Sequence, residues 1–220
     1  MEVMKRLSVP GTAALNAEIC DHHPRIVEEL MKLDWGVIGH CQSNTRPLDK
    51  VPADQERKVI AETLNVIEKA TGQRPTGWLG ASMAETWDTL EHLSSEGITY
   101  TADWLNDDQP FLLDVATKDG SPMAALPFGG ETHDKGAFTR RGFTPDDYAD
   151  MLIRTFDTLY REGKESGRVM PMAIHPFVIG VPHRIGAFEA VLTHITSHDD
   201  VWCATSDDII AQYLDGKPTV

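Results

Sequence analysis

Histidines and acids at the ends of apolar runs are where this chain could do chemistry. His40 follows the run 36–39, within Gly39-His40-Cys41-Gln42-Ser43-Asn44. An imidazole at a strand end can carry protons or ligate a metal. A metal would want a second histidine close by, and the residue four positions on is Asn44, whose amide is a weak donor for zinc. Hydrogen bonding to a substrate is the better reading of His40. Asp103 ends a second apolar run and opens the polar stretch 103–110, with Trp104 beside it and Asp107 further along. Alone, such a stretch reads as a solvated loop. A tryptophan ring next to the acid can wall a pocket and raise a carboxyl pKa, which favours a site. His175 closes the apolar run 169–174 and leads into His175-Pro176-Phe177 and then Pro182-His183-Arg184. The prolines fix this loop, and an imidazole there suits general acid–base work near neutral pH. His183 and Arg184 are the candidates for substrate contact in the same loop.

Other polar groups carry a weaker signal. Glu131-Thr132-His133-Asp134 sets acid, histidine and acid in one short loop after Gly129-Gly130. Such a group could transfer protons. A polar surface loop is the competing reading, and Glu131 is retained as a substrate contact. Arg74, in Arg74-Pro75-Thr76-Gly77-Trp78, could pair with an acid at the site or form an ordinary surface ion pair. Adjacent side chains such as His22 and His23 point to opposite sides of an extended chain, which argues against a metal pair. Cys41 has no neighbour except His40 to lower its thiol pKa.

These residues depend on elements that place them together. Apolar runs predict strands over 12–16, 36–39, 78–79, 98–102, 169–174 and 201–204. Two further strands, 111–117 and 123–126, flank a turn at Asp119-Gly120. Apolar residues at helical spacing predict helices from Pro24, over 53–70 with Thr71-Gly72 closing it, and through Trp87 to Leu93 with a stop at Gly97. Another starts at Thr144-Pro145-Asp146-Asp147, a strong N-terminal signal, and two more cover 185–195 and 206–214. Strands alternating with helices imply right-handed crossovers and a parallel sheet. In an α/β barrel the C-terminal strand ends form one mouth, where Asn16, His40, Asp103 and His175 would converge.

Composition bounds the rest. A chain of 220 residues with 41% hydrophobic and 25% charged residues fits one globular domain over 1–220, not a disordered segment. Lys and Arg number 20 against 34 Asp and Glu, a net charge of −14. That argues against nucleic acid or an anionic membrane surface as the main partner. Cys20, Cys41 and Cys203 are too few and scattered for a disulfide framework or zinc cluster, so a reducing cytoplasm is expected. No run approaches the ~18 apolar residues of a membrane span, and the N-terminus lacks a signal-peptide core.

Taken in order, the pieces resemble the polysaccharide deacetylase (NodB-homology) superfamily, nearest its allantoinase-like and peptidoglycan-deacetylase-like members. They are 12–16, Gly39-His40, Thr71-Gly72 with Arg74 through Gly80, Asp103-Trp104 with 106–110, and His175-Pro176-Phe177 with Gly180 and Pro182-His183-Arg184. The resemblance implies a distorted (β/α) barrel that hydrolyses amide C–N bonds. It also implies His175 as the late acid–base histidine, His40 as the first histidine of the metal motif with Asn44 in place of the second, and Arg74 as the arginine motif. The usual proline of that motif is Ala81 here. The resemblance begins after the family's first strand and its aspartate motif, so the barrel is expected to be incomplete at the N-terminus, with open edges that a homo-oligomer could cover.

Three functional readings follow. The first is a hydrolase of a small amide or ureide with no cofactor expected. In it His175 shuttles a proton to the leaving nitrogen, His40 and Asp103 orient substrate or water, and Trp104 walls the pocket. Asp107, Glu131, His183, Arg184 and Arg74 contact substrate. The second is a zinc- or other divalent-metal-dependent deacetylase of N-acetylated sugars. The third is a barrel without catalysis that binds a ligand or partner.

Overall fold

Short apolar runs with glycine at close-packed positions pair into one sheet. The computed structural model describes residues 1–33 and 35–216. Its helices and strands run in the order α1 (Glu2–Arg6), β1 (Thr12–Leu15), α2 (Ala17–His22), α3 (Pro24–Leu30), β2 (Gly36–Gly39), α4 (Ala53–Thr71), β3 (Gly77–Trp78), α5 (Thr89–Ser95) and β4 (Tyr100–Thr101). Then come β5 (Phe111–Ala116), β6 (Pro122–Ala125), α6 (Pro145–Glu162), α7 (Pro176–Ile179), α8 (Ile185–Thr196) and α9 (Ser206–Leu214).

The sheet order is β1-β2-β3-β4-β6-β5. All neighbours are parallel except the β5–β6 hairpin, which turns at Gly120 with φ 88°. In register, Leu15 faces Gly39, Gly39 faces Trp78, and Trp78 faces Thr101. The strand ends that precede His40, Gly80 and Asp103 are therefore level with one another. Among the described residues the ladder stops at β1 on one side and β5 on the other, so the barrel is not closed.

Helices cover the sheet as their apolar faces require. α4 places Val59, Ile60 and Leu64 against Trp78, Leu93 and Met123. Gly72, with φ 75°, ends α4 in the left-handed conformation expected of a helix C-cap. α6 begins with a full capping box: Asp147 N–H donates to Thr144 Oγ1, and Thr144 N–H donates to Asp147. It packs on α8 through Tyr148, Leu152, Phe156, Phe188 and Val191.

Two expected strands are absent. Residues 169–174 and 201–204 run without ladder pairing. Pro171 has no N–H to give, and the surrounding backbone groups are spent on loops. Thr132 Oγ1 donates to Pro171 O at 2.6 Å, Asp134 N–H to Ala173 O at 3.0 Å, and Val169 N–H to Asp108 O at 2.7 Å. The apolar run thus fastens to the loop 129–134 instead of to a strand. Two α-helices, α2 and α7, were not anticipated.

Candidate active site

The turn after β3 organises two of the expected residues. Burial among β-strands leaves its backbone groups to be satisfied locally. Leu79 O accepts from His40 Nδ1, Gly80 N–H donates to both oxygens of Asp103 at 2.8 Å, and Ala81 N–H meets Cys41 Sγ at 3.3 Å. Gly80 is required by this approach, since an added Cβ would lie 2.8 Å from Asp103 Oδ2. Cys41, Ser82 and Met83 all carry positive φ, so the turn and its neighbour hold strained backbone.

The electrostatics here follow from burial. His40 is pushed below its ordinary pKa by desolvation, opposed by its bond to Leu79 O, and lowered again by the nearby His175. It is therefore neutral near pH 7, and Asn44 bonds its side chain. Asp103 is raised well above the ordinary range, first by burial and then by Glu85 beside it. Glu85 is raised too, mainly by burial, and accepts from Trp104 Nε1 at 2.9 Å. Two acids this close favour one shared proton. Burial lifts the Cys41 thiol to about 11, so it is no nucleophile at neutral pH.

The second half of the site comes from the loop that captured 169–174. Asp134 is fully buried. Its Oδ1 pairs with His175 Nδ1 at 2.7 Å, and its Oδ2 accepts from His175 N–H at 2.7 Å. A carboxylate on Nδ1 fixes the ring and makes it the proton donor of that bond, leaving Nε2 as the basic nitrogen. His133 stands edge-on to His175, ring centroids 4.9 Å apart. Its Nδ1 accepts from Gly136 N–H at 3.0 Å, and burial lowers its pKa. Tyr148 of α6 pins the loop by donating to Thr132 O at 2.8 Å.

The structure thus brings His40 and His175 within electrostatic reach of each other, and places Asp103 and Trp104 beside the His40 turn. It does not bring in the rest. Arg74 sits before β3, at the opposite end of the strand, bonded to Asn65 and Glu68 at 2.9 Å and to Glu96 O. It clamps α4 to α5, which removes it from the substrate contacts. Asp107 is exposed, caps its own loop at Asp108 N–H, and lies 3.8 Å from Arg168. Arg184 donates to Val178 O at 3.0 Å and lies over the Phe138 ring, so it braces the 176–184 loop. Glu131 and His183 are exposed side chains. Residue reasoning missed Asp134, His133 and Glu85. Only the loop 131–134 carried a signal, and there Glu131 drew attention instead of its neighbours.

Similarity to other proteins extends over nearly the whole chain. No family model matches it. A Schizosaccharomyces pombe protein, named among the polysaccharide deacetylases, is 25% identical over 95% of this chain and 69% of its own length. The peptidoglycan deacetylase of Helicobacter pylori is 24% identical over 99% of this chain and 83% of its own. The solved structure of Puue allantoinase superposes with a TM-score of 0.90 at 26% identity, covering 100% of this chain and 72% of that one. In sequence and in fold the chain is thus similar to polysaccharide deacetylases and to an allantoinase.

The expectation that no cofactor is needed is corrected by the chain's own side chains. His133, Asp134 and His175 each offer a ligand atom, and these atoms lie within 4.8 Å of one another. Two imidazoles and a carboxylate suit zinc or a similar divalent ion. The fit is chemical as well as spatial: the carboxyl of Asp134 is buried, and the two imidazoles beside it are partly exposed. The donors come from two segments separated by 41 residues.

Proposed function

We propose that the chain is a hydrolase of non-peptide amide C–N bonds, with Asp134 and His175 at its centre. The bond from His175 Nδ1 to the buried Asp134 carries this reading. It holds the ring in one tautomer with Nε2 free to take a proton from an attacking water and give it to the leaving nitrogen. Asp134 also stabilises the imidazolium formed between those steps. His40, kept neutral by burial and tied at Nδ1, orients substrate or water through its other side. Asp103 and Glu85, holding a shared proton between them, fix both carboxyls at the mouth, and Trp104, 44% exposed, forms its wall. A divalent ion held by His133 and Asp134 would supply Lewis-acid polarisation of the amide carbonyl, with Nε2 of His175 kept for the proton.

The donor cluster also favours a second reading, a deacetylase of N-acetylated sugars that depends on that ion. Three unpaired cysteines favour a reducing cytoplasm for either. Among the described residues no helix is long and apolar enough to cross a membrane. Ureides, cyclic amides and N-acetyl sugars, incubated with the purified chain, test both readings through released ammonia, carboxylate or acetate. A chelator should lower turnover and added zinc should restore it. Ureide opening selects the first reading and acetate release the second. A folded chain that hydrolyses none of them contradicts both and leaves a binding barrel.

A further inference from the structure

A second group of metal-binding side chains lies away from this site, where α8 crosses α6. His194 lies in the last turn of α8 and His198 just past its cap at Ser197, where the chain turns and brings the two rings together. Asp157 of α6 reaches the same place. His194 Nε2 pairs with Asp157 Oδ1 at 2.7 Å. His198 Nδ1 donates to His194 O at 2.8 Å, which leaves its Nε2 lone pair outward. A backbone carbonyl on one ring nitrogen is the usual support for a histidine that binds metal through the other. The two rings stand 4.7 Å apart, edge to face. Phe156 packs against both at 5.5 and 5.0 Å, and Tyr160 against His198 at 5.0 Å. These contacts hold the rings in place before any ion arrives.

One ligand atom from each of Asp157, His194 and His198 lies within 4.8 Å of the others. We propose that these three residues form a second divalent-cation site, for zinc or nickel, that staples α8 to α6. Two nitrogens and one oxygen match the ligand preference of these ions, whereas calcium and magnesium call for oxygen alone. Bonds of about 2 Å need donors about 3.3 Å apart, a closure within reach of side-chain rotation. The ion takes the place of the proton between His194 and Asp157, and water completes its shell. Side-chain exposures of 32% for His194 and 51% for Asp157 leave the ion a route from solvent. The proposal is independent of the hydrolytic reading, since none of the three residues belongs to that site.

Equilibrium dialysis of the full chain against zinc chloride, with metal counted per chain, tests it. His198→Gln and Asp157→Asn should each bind one equivalent fewer than the wild type. They should also lose most of the zinc-induced rise in Tm that an ion bound to the folded state produces. Wild-type stoichiometry in either variant overturns the site. In the unaltered chain, the ring resonances of His194 and His198 should shift together on adding zinc. Unmoved resonances overturn the proposal without recourse to any variant. Amide turnover by His198→Gln should equal that of the wild type, which separates this ion from one at His175.

Discussion

Asp103 holds a proton that it would give up in the unfolded chain. Burial and Glu85 push its carboxyl well above the ordinary value of 3.8. An acid whose pKa is raised by folding stabilises the fold fully below its ordinary pKa. That contribution disappears as pH rises through the raised value, because the folded state must then carry a buried charge. Stability of the wild type should therefore decline from about pH 4 upward. Asp103→Asn, which still offers an oxygen to Gly80 N–H, should flatten this decline and raise Tm at neutral pH. Thermal melts across pH check it, and parallel curves for the two proteins would count against the shared proton. His40, Asp103 and His175 were legible in the sequence because each ends an apolar run, where side chains emerge from a sheet. Their partners were not. Asp134 and Glu85 act through packing, and nothing local marks a carboxylate whose histidine lies 41 residues away. The metal cluster was hidden for the same reason.

Periodicity and capping signals were enough to locate most elements. α4 closes at Gly72 and α6 opens on its capping box, as local chemistry requires. The strands expected over 169–174 and 201–204 failed because an apolar run specifies burial, not pairing. Pro171 and the loop 129–134 decided what the first run would bond to. That failure has a functional consequence, since the unpaired run is what delivers His175 to Asp134. The turn after β3 is the other element on which the site depends. Gly80→Ala would place a methyl 2.8 Å from Asp103 Oδ2 and displace the carboxylate. A loss of about 1–3 kcal/mol in urea denaturation is expected from such overpacking. Amide turnover should fall with it. An alanine variant of unchanged stability and rate would mean that the turn does not set the position of Asp103.

At the scale of the molecule, parallel strands of level register carry His40 and Asp103 to the C-terminal end of an open sheet, and the loop 129–134, pinned to α6, holds Asp134 against His175 nearby. The class of fold was readable from alternating strands and helices together with the ordered set of motifs. The charge of −14 identifies no substrate, and the strand ends predict a mouth without saying what enters it. Amide hydrolysis is proposed to rest on the Asp134–His175 pair. The most direct test is the turnover of His175→Ala, beside the wild type, on the amide that the wild type hydrolyses fastest, with Tm recorded for both. A loss of about 10²–10⁴-fold in kcat with the fold retained is expected. A folded His175→Ala protein that turns over at the wild-type rate would contradict it.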